Sequence, residues 1–208
     1  MQNTIRRLSL LCTLVFAIIA IFVSMNGTAY LDEKIIASIQ GLQSDTLTSI
    51  MTAITSLASE VGITLISIAS VIIIFMRFRR RREILLLISV VCGSALLNKV
   101  FKLLFARERP DFNRLIEEAG YSFPSGHSMA AFSLYGILCY IVWENSRERR
   151  WRLISLLAGA VIIVMIGISR IYLGVHYPSD VIGGYFATAA LLFLIVSLYP
   201  PKRKEPVK

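Results

Sequence analysis

This sequence predicts an all-α fold, a polytopic membrane protein of six transmembrane helices, on three observations. The 208-residue chain is 56% hydrophobic and only 17% charged, with a mean hydropathy of +0.69; soluble domains hold roughly 45–50% apolar and about 25% charged residues. Its apolar residues gather into six stretches, each near the ~20 residues that cross a bilayer as a helix. Its cations gather mostly between those stretches. Backbone groups in hydrocarbon find no water, and a helix satisfies them within one segment. With 12 Gly, 6 Pro and 3 Cys, the chain is not collagen-like, disordered or disulfide-stapled. A single membrane-embedded domain over residues 1–208 is expected.

The expected spans are residues 8–25, 53–76, 84–105, 127–143, 153–168 and 181–199. The first follows Arg6 and Arg7 and precedes Gly27, Thr28 and Ala29, which resembles a secretory signal. Its apolar run exceeds the 7–15 residues of a signal core, so an uncleaved anchor is expected. Residues 26–59 place Ile35, Ile39 and Leu42, then Leu47, Ile50, Met51, Ile54 and Leu57, at helical spacing. A short external amphipathic helix is expected there, N-capped by Asp45 and leading structurally into the second span. Cys12, Cys92 and Cys139 fall in three different spans and read as small hydrophobes.

Orientation follows from the cations. Arg6 and Arg7, then Arg77, Arg79, Arg80, Arg81 and Arg82, then Arg147, Arg149, Arg150 and Arg152, and finally Lys202, Arg203, Lys204 and Lys208 all fall on one side of a six-span layout. Only Glu83, Glu144, Glu148 and Glu205 oppose them there. By the positive-inside rule that side is cytoplasmic, with both termini in the cytoplasm. The net charge of +9 is thereby accounted for by topology, and no nucleic-acid partner is expected.

Ionisable residues outside those clusters are costly near a membrane and are functional candidates. Lys99 and Lys102 sit at the outer end of the third span, and Arg170 follows the fifth. His127 and His176, the two histidines of the chain, fall at the same level with Asp180. They belong to three segments: Lys102 with Arg109-Pro110 after six residues; Pro124-Ser125-Gly126-His127; and Ser169-Arg170, then His176 after five residues and Asp180 after three more. All three fall on the external face by the orientation above.

That collection suits a phosphate. Lys102, Arg109 and Arg170 supply positive charge, with Arg able to fork onto phosphate oxygens. Ser125 adds a hydroxyl, and Gly126 allows close backbone approach. Two helix N-termini, at Gly126 and near Pro178, add their N–H groups to the same layer. One histidine can attack phosphorus covalently; Asp180 lies one helical turn beyond His176 and can orient it. His127 can then protonate the leaving oxygen. Arg107, Glu108, Asp111, Arg114, Glu117 and Glu118 are expected to be solvated loop charges. No Cys or paired carboxylate falls at chelating spacing, so no metal site and no cofactor are expected.

The three segments resemble the signature of the type 2 phosphatidic acid phosphatase family, membrane lipid phosphatases that share an active-site plan with vanadium haloperoxidases. The resemblance implies that His176 is the nucleophile, Asp180 orients it and His127 protonates the leaving group, while Lys102, Arg109, Ser125, Gly126 and Arg170 hold the phosphate. It also implies an enzyme of the cell membrane, acting at the outer face on a lipid phosphate or diphosphate. Within the family the chain is most similar to small bacterial members acting on phosphatidylglycerol phosphate or undecaprenyl diphosphate; phosphatidic acid is a further candidate. The 13 residues between Pro110 and Pro124 are too few for a separate external domain. A headgroup transporter or scramblase would use the same cations but needs neither the two histidines nor Asp180.

Overall fold

The structure is a computed structural model that describes residues 2–78, 81–111 and 113–199. Arg79, Arg80, Lys202, Arg203, Lys204, Glu205 and Lys208 of the charged clusters lie outside the described residues. Those described form eight helices: α1 (Gln2–Ser24), α2 (Ala29–Gln40), α3 (Asp45–Ser56), α4 (Glu60–Phe78), α5 (Arg81–Phe105), α6 (Gly126–Asn145), α7 (Arg149–Tyr172) and α8 (Pro178–Leu198). Six of them, α1 and α4 through α8, are long and apolar enough to cross a membrane. The protein is an all-helical, multi-pass membrane protein.

Two boundaries differ from the sequence expectation. The second span starts at Glu60 rather than residue 53, because a serine breaks an apolar run that is continuous in sequence. Ser59 Oγ accepts the Gly62 N–H at 3.0 Å and donates to the Ser56 carbonyl at 2.7 Å, which caps α4 and separates it from α3. The segment before it holds two helices, and Ser44 rather than Asp45 caps the second. Ser44 is extended and its side chain accepts the Leu47 N–H, leaving Asp45 as the first residue of α3.

Both short helices are docked onto the C-terminal end of α7. The Tyr172 hydroxyl meets the Ser44 N–H at 3.1 Å and Thr48 Oγ1 at 3.0 Å. Met51 packs with Tyr172, Leu173 and Val175. This explains the apolar face of α3: it covers α7 without crossing the bilayer.

Helix α6 lies at the centre, packed against α5, α7 and α8, and buries Ser128, Met129, Ala131, Ser133, Leu134, Ile137 and Ile141. Helix α4 lies at the periphery, with 6% of its apolar window buried, as a lipid-facing span requires. Small residues allow close helix approach, the usual device where lipid supplies no hydrophobic drive between helices. A Cβ on Gly184 of α8 would lie 3.1 Å from the Ser125 carbonyl at the start of α6. Cys139 of α6 faces Gly159 of α7 and donates its thiol hydrogen to the Ser155 carbonyl at 3.0 Å. The three cysteines are free.

Candidate active site

The C-terminal ends of α5 and α7 and the N-terminal ends of α6 and α8 meet at one end of the bundle. Helix α5 ends as Ala106 turns to φ 45°. The following chain runs out with its arginines bonded in different directions. Arg107 bonds toward α8 and α2, while Arg109 folds inward.

Arg109 is fully engaged. Its Nε donates to the Gly120 carbonyl at 2.9 Å and Nη2 to the Ala119 carbonyl at 3.1 Å. Its Nη1 donates to the Val175 carbonyl at 2.9 Å and lies 3.2 Å from Nε2 of His176. The carbonyls of Ala119, Gly120 and Val175 are therefore gathered around one guanidinium, whose Nη1 also meets an imidazole.

The turn that carries His176 depends on a glycine. Gly174 has φ +75°, and a Cβ there would lie 2.5 Å from the Asn113 carbonyl. After it, Tyr177 is extended and Pro178 opens α8 at the first helical position. Asp180, at the third position, accepts the Tyr177 N–H through Oδ2 at 2.9 Å, and the same oxygen lies 3.3 Å from Nδ1 of His176. One carboxylate thus caps the helix and holds the imidazole. With Nδ1–H donated to Asp180, the Nε2 lone pair is directed to the Arg109 side.

His176 and Asp180 are wholly buried. Burial first, then the positive charges of Arg170, Arg109 and Lys102, holds the His176 imidazole well below its ordinary pKa, hence neutral. A neutral imidazole keeps a lone pair that can attack an electrophile, and the cations beside it can attract an anion.

Ser125 caps α6, its Oγ accepting the Ser128 hydroxyl at 2.9 Å. Its own N–H donates to the Asp180 carbonyl at 3.1 Å, which ties the start of α6 to the start of α8. Asn98 of α5 supports the same turn, donating to the Pro124 carbonyl at 3.0 Å. Its Oδ1 would lie 3.2 Å from a Cβ on Gly126, so a side chain there would push into it. Below, Phe123 is buried between Phe16 of α1 and Phe105 of α5, at ring separations of 5.9 and 5.1 Å.

Arg170 is 1% exposed. Its Nη1 donates to Thr55 Oγ1 at 3.0 Å, and Nη2 is ion-paired with Glu118. Its Nε has no hydrogen-bond partner among the described residues, which leaves one donor of a buried guanidinium able to take a further acceptor. The other Glu118 oxygen lies 3.7 Å from Nδ1 of His127.

The residues singled out from sequence thus converge: Arg109 and Asp180 bond His176 directly, Arg170 and Lys102 lie within electrostatic reach of it, and Ser125, Gly126 and His127 open the neighbouring helix. Two expectations are corrected. Arg107 is not a solvated loop charge, because Nη1 lies 2.6 Å from Asp180 Oδ1 and Nη2 lies 3.0 Å from Asp32 Oδ2. Glu118 is not one either, since it pairs with Arg170. Arg114 stays exposed and bonds the carbonyls of Pro110 and Arg109 in its own loop. Asp32, Thr55, Asn98 and Ser179 support the site from positions with no local motif. Among the described residues no group of three or more His, Cys, Asp or Glu is placed to hold a metal ion.

The membrane-embedded bundle with arginines around a buried histidine–aspartate pair, taken with the relatives that follow, belongs to a class of protein, the phosphoric ester hydrolases of the bilayer. Residues 83–204 match the PAP2 superfamily, and the chain belongs to it. It is 38% identical over 195 residues to phosphatidylglycerophosphatase B of Bacillus subtilis, covering 92% of this chain and 94% of that one. It is 33% identical over 140 residues to an undecaprenyl-diphosphatase of Sulfolobus acidocaldarius, covering 64% and 62%. The crystal structure of a transmembrane PAP2-type phosphatidylglycerolphosphate phosphatase from Bacillus subtilis superposes with a TM-score of 0.86 at 32% identity, covering 92% and 95%.

Proposed function

We propose that the protein hydrolyses the terminal phosphate of a lipid phosphate or diphosphate at the extracytoplasmic face of the cell membrane, through a phosphohistidine at His176. The observation that carries this reading is the two-sided hold on His176: Asp180 Oδ2 at 3.3 Å from Nδ1 and Arg109 Nη1 at 3.2 Å from Nε2. The first fixes the tautomer and supports the cation that develops; the second marks where phosphate oxygens would sit beside the attacking nitrogen.

In this mechanism the Nε2 lone pair attacks phosphorus and the bond from phosphorus to the lipid oxygen breaks. His127 gives that oxygen its proton. A water molecule, deprotonated by His127, then attacks the phosphohistidine, the P–N bond breaks and inorganic phosphate leaves. Lys102, Arg109 and Arg170, with the start of α6 at Ser125 and Gly126, carry the charge that spreads over the equatorial oxygens. No step calls on a metal or other cofactor.

The distribution of arginines supports the orientation. Arg77, Arg81, Arg82, Arg149, Arg150 and Arg152 lie at the ends of α4, α5 and α7 away from the site, which under the positive-inside rule favours a site outside and both termini inside. The Bacillus subtilis relative favours phosphatidylglycerol phosphate as the substrate, with undecaprenyl diphosphate next. A headgroup carrier would need neither His127 nor the His176–Asp180 pair, and the relatives described above are phosphatases.

The test is phosphate release by the purified protein in detergent, with phosphatidylglycerol phosphate, undecaprenyl diphosphate, phosphatidic acid and diacylglycerol diphosphate in competition. The reading expects release from at least one, abolished in His176→Ala. Turnover retained by H176A would remove the nucleophile.

A further inference from the structure

We infer that Arg107 and Asp32 are positioning residues for the reaction, which set the catalytic carboxylate of Asp180 from outside the three signature segments. This rests on the reading of His176 and Asp180 given above.

The two oxygens of Asp180 are divided between two tasks. Oδ2 takes the Tyr177 N–H and lies against His176 Nδ1. Oδ1 is held by Arg107 Nη1 at 2.6 Å. A carboxylate removed wholly from water is costly unless a cation pairs with it and hydrogen bonds satisfy its lone pairs. Arg107 is that cation, and its bond to Oδ1 fixes the rotation of the carboxylate about its own axis. That rotation decides whether Oδ2 faces the imidazole.

Arg107 is itself held on every side. Nη1 also donates to Ser179 Oγ at 2.8 Å, and the guanidinium lies over the Tyr177 ring at 4.0 Å from its centroid. Nη2 pairs with Asp32 Oδ2 at 3.0 Å. Asp32 is buried in α2 and grips the same turn, accepting the Ser179 N–H at 2.9 Å through Oδ1 and the Ser179 hydroxyl at 2.6 Å through Oδ2. The chain Asp32–Arg107–Asp180–His176 is therefore a continuous line of charge-assisted contacts from an external helix to the nucleophile. Asp32 lies ahead of the residues that match the superfamily, so the segment after the first span supplies part of the support for the site.

A surface arginine serving only as fold glue would lower thermal stability when replaced and leave the chemistry per folded molecule unchanged. A positioning arginine would lower kcat and leave KM nearly alone, because it acts on the nucleophile and not on the bound lipid. Outer partners that orient a metal-bound histidine are worth about 10- to 100-fold in activity, and a loss of the same order is expected for a carboxylate-held nucleophile.

The experiment measures kcat and KM for lipid phosphate hydrolysis in detergent with wild type, R107Q, R107K, D32N, D180N, R107Q/D180N and H176A, together with the melting temperature of each. The inference expects R107Q to lose about 10- to 100-fold in kcat with KM within about threefold. D32N should lose less, and R107K should fall between R107Q and wild type, since an ammonium cannot bridge both carboxylates as a fork does. R107Q should cost little further in the D180N background, because both act through one carboxylate. R107Q with wild-type kcat in a folded preparation, or additive losses in the double variant, would overturn it. Should R107Q fail to fold, R107K and D32N decide by the same split: wild-type kcat in both overturns the inference. Turnover by H176A would sink the underlying reading instead, whereas a dead H176A beside an undiminished R107Q sinks this inference alone.

Discussion

Glu118 is ion-paired through Oε2 with Nη2 of Arg170, a guanidinium with 1% of its side-chain surface exposed. A carboxylate of the loop between α5 and α6 therefore neutralises one of the cations assigned to the phosphate, and any anion arriving at Arg170 competes with it. Glu118→Gln removes the competing charge. Inorganic phosphate should then inhibit about three- to tenfold more tightly, since tenfold corresponds to about 1.4 kcal/mol. An unchanged inhibition constant would place Glu118 outside the phosphate-binding equilibrium.

The pH dependence of stability follows from His176. Burial and the neighbouring cations hold its pKa well below 6.5 in the folded protein, while the unfolded chain titrates near its ordinary value. Below about pH 6.5 the unfolded state binds the extra proton, so stability falls as pH drops through that value and recovers above it. Thermal melts in detergent should show a lower melting temperature at pH 5 than at pH 7, with a smaller drop in His176→Asn. Parallel drops in the two proteins would show that His176 does not carry the effect.

Gly174 sets the turn between Arg170 and His176. At φ +75°, with an added Cβ 2.5 Å from the Asn113 carbonyl, alanine would cost about 1–2 kcal/mol in backbone strain alone. Gly174→Ala should lower the melting temperature and reduce kcat about tenfold or more, because the turn that moves carries the nucleophile. A normal kcat would mean that His176 is positioned without this turn.

The assigned chemistry uses cations and imidazoles for every role a metal could take, so millimolar EDTA should leave turnover intact. Vanadate, an analogue of the five-coordinate phosphoryl group, should inhibit in competition with substrate. Loss of activity in EDTA that Mg²⁺ restores would contradict the mechanism.

Much of the fold was legible in the sequence because span length and cation placement are properties of single segments. Lys102, Arg109, Arg170, His176 and Asp180 were legible for a related reason: each sits at a helix end or within four residues of one, so a fixed spacing carries it to the same end of the bundle. Arg107 and Glu118 were not, since a loop charge looks the same whether it meets water or a partner; their partners, Asp180 and Arg170, lie more than 50 residues away. Asp32 was hidden likewise, its partners being Arg107 and Ser179. The late start of α4 was readable in principle, as Ser59 precedes Glu60 and Gly62 in a capping arrangement, but the hydrophobic run of α3 overrode it. That run belongs to a helix that covers Tyr172 and Leu173.

The central claim is a covalent bond between phosphorus and Nε2 of His176. Rapid acid-free quenching of the enzyme during turnover of a lipid labelled in its terminal phosphate, followed by peptide mapping, measures it directly. The account predicts a label that is stable in base, lost in acid and located at residue 176. A quench under steady turnover that yields no labelled protein, or a label at any other residue, would contradict it.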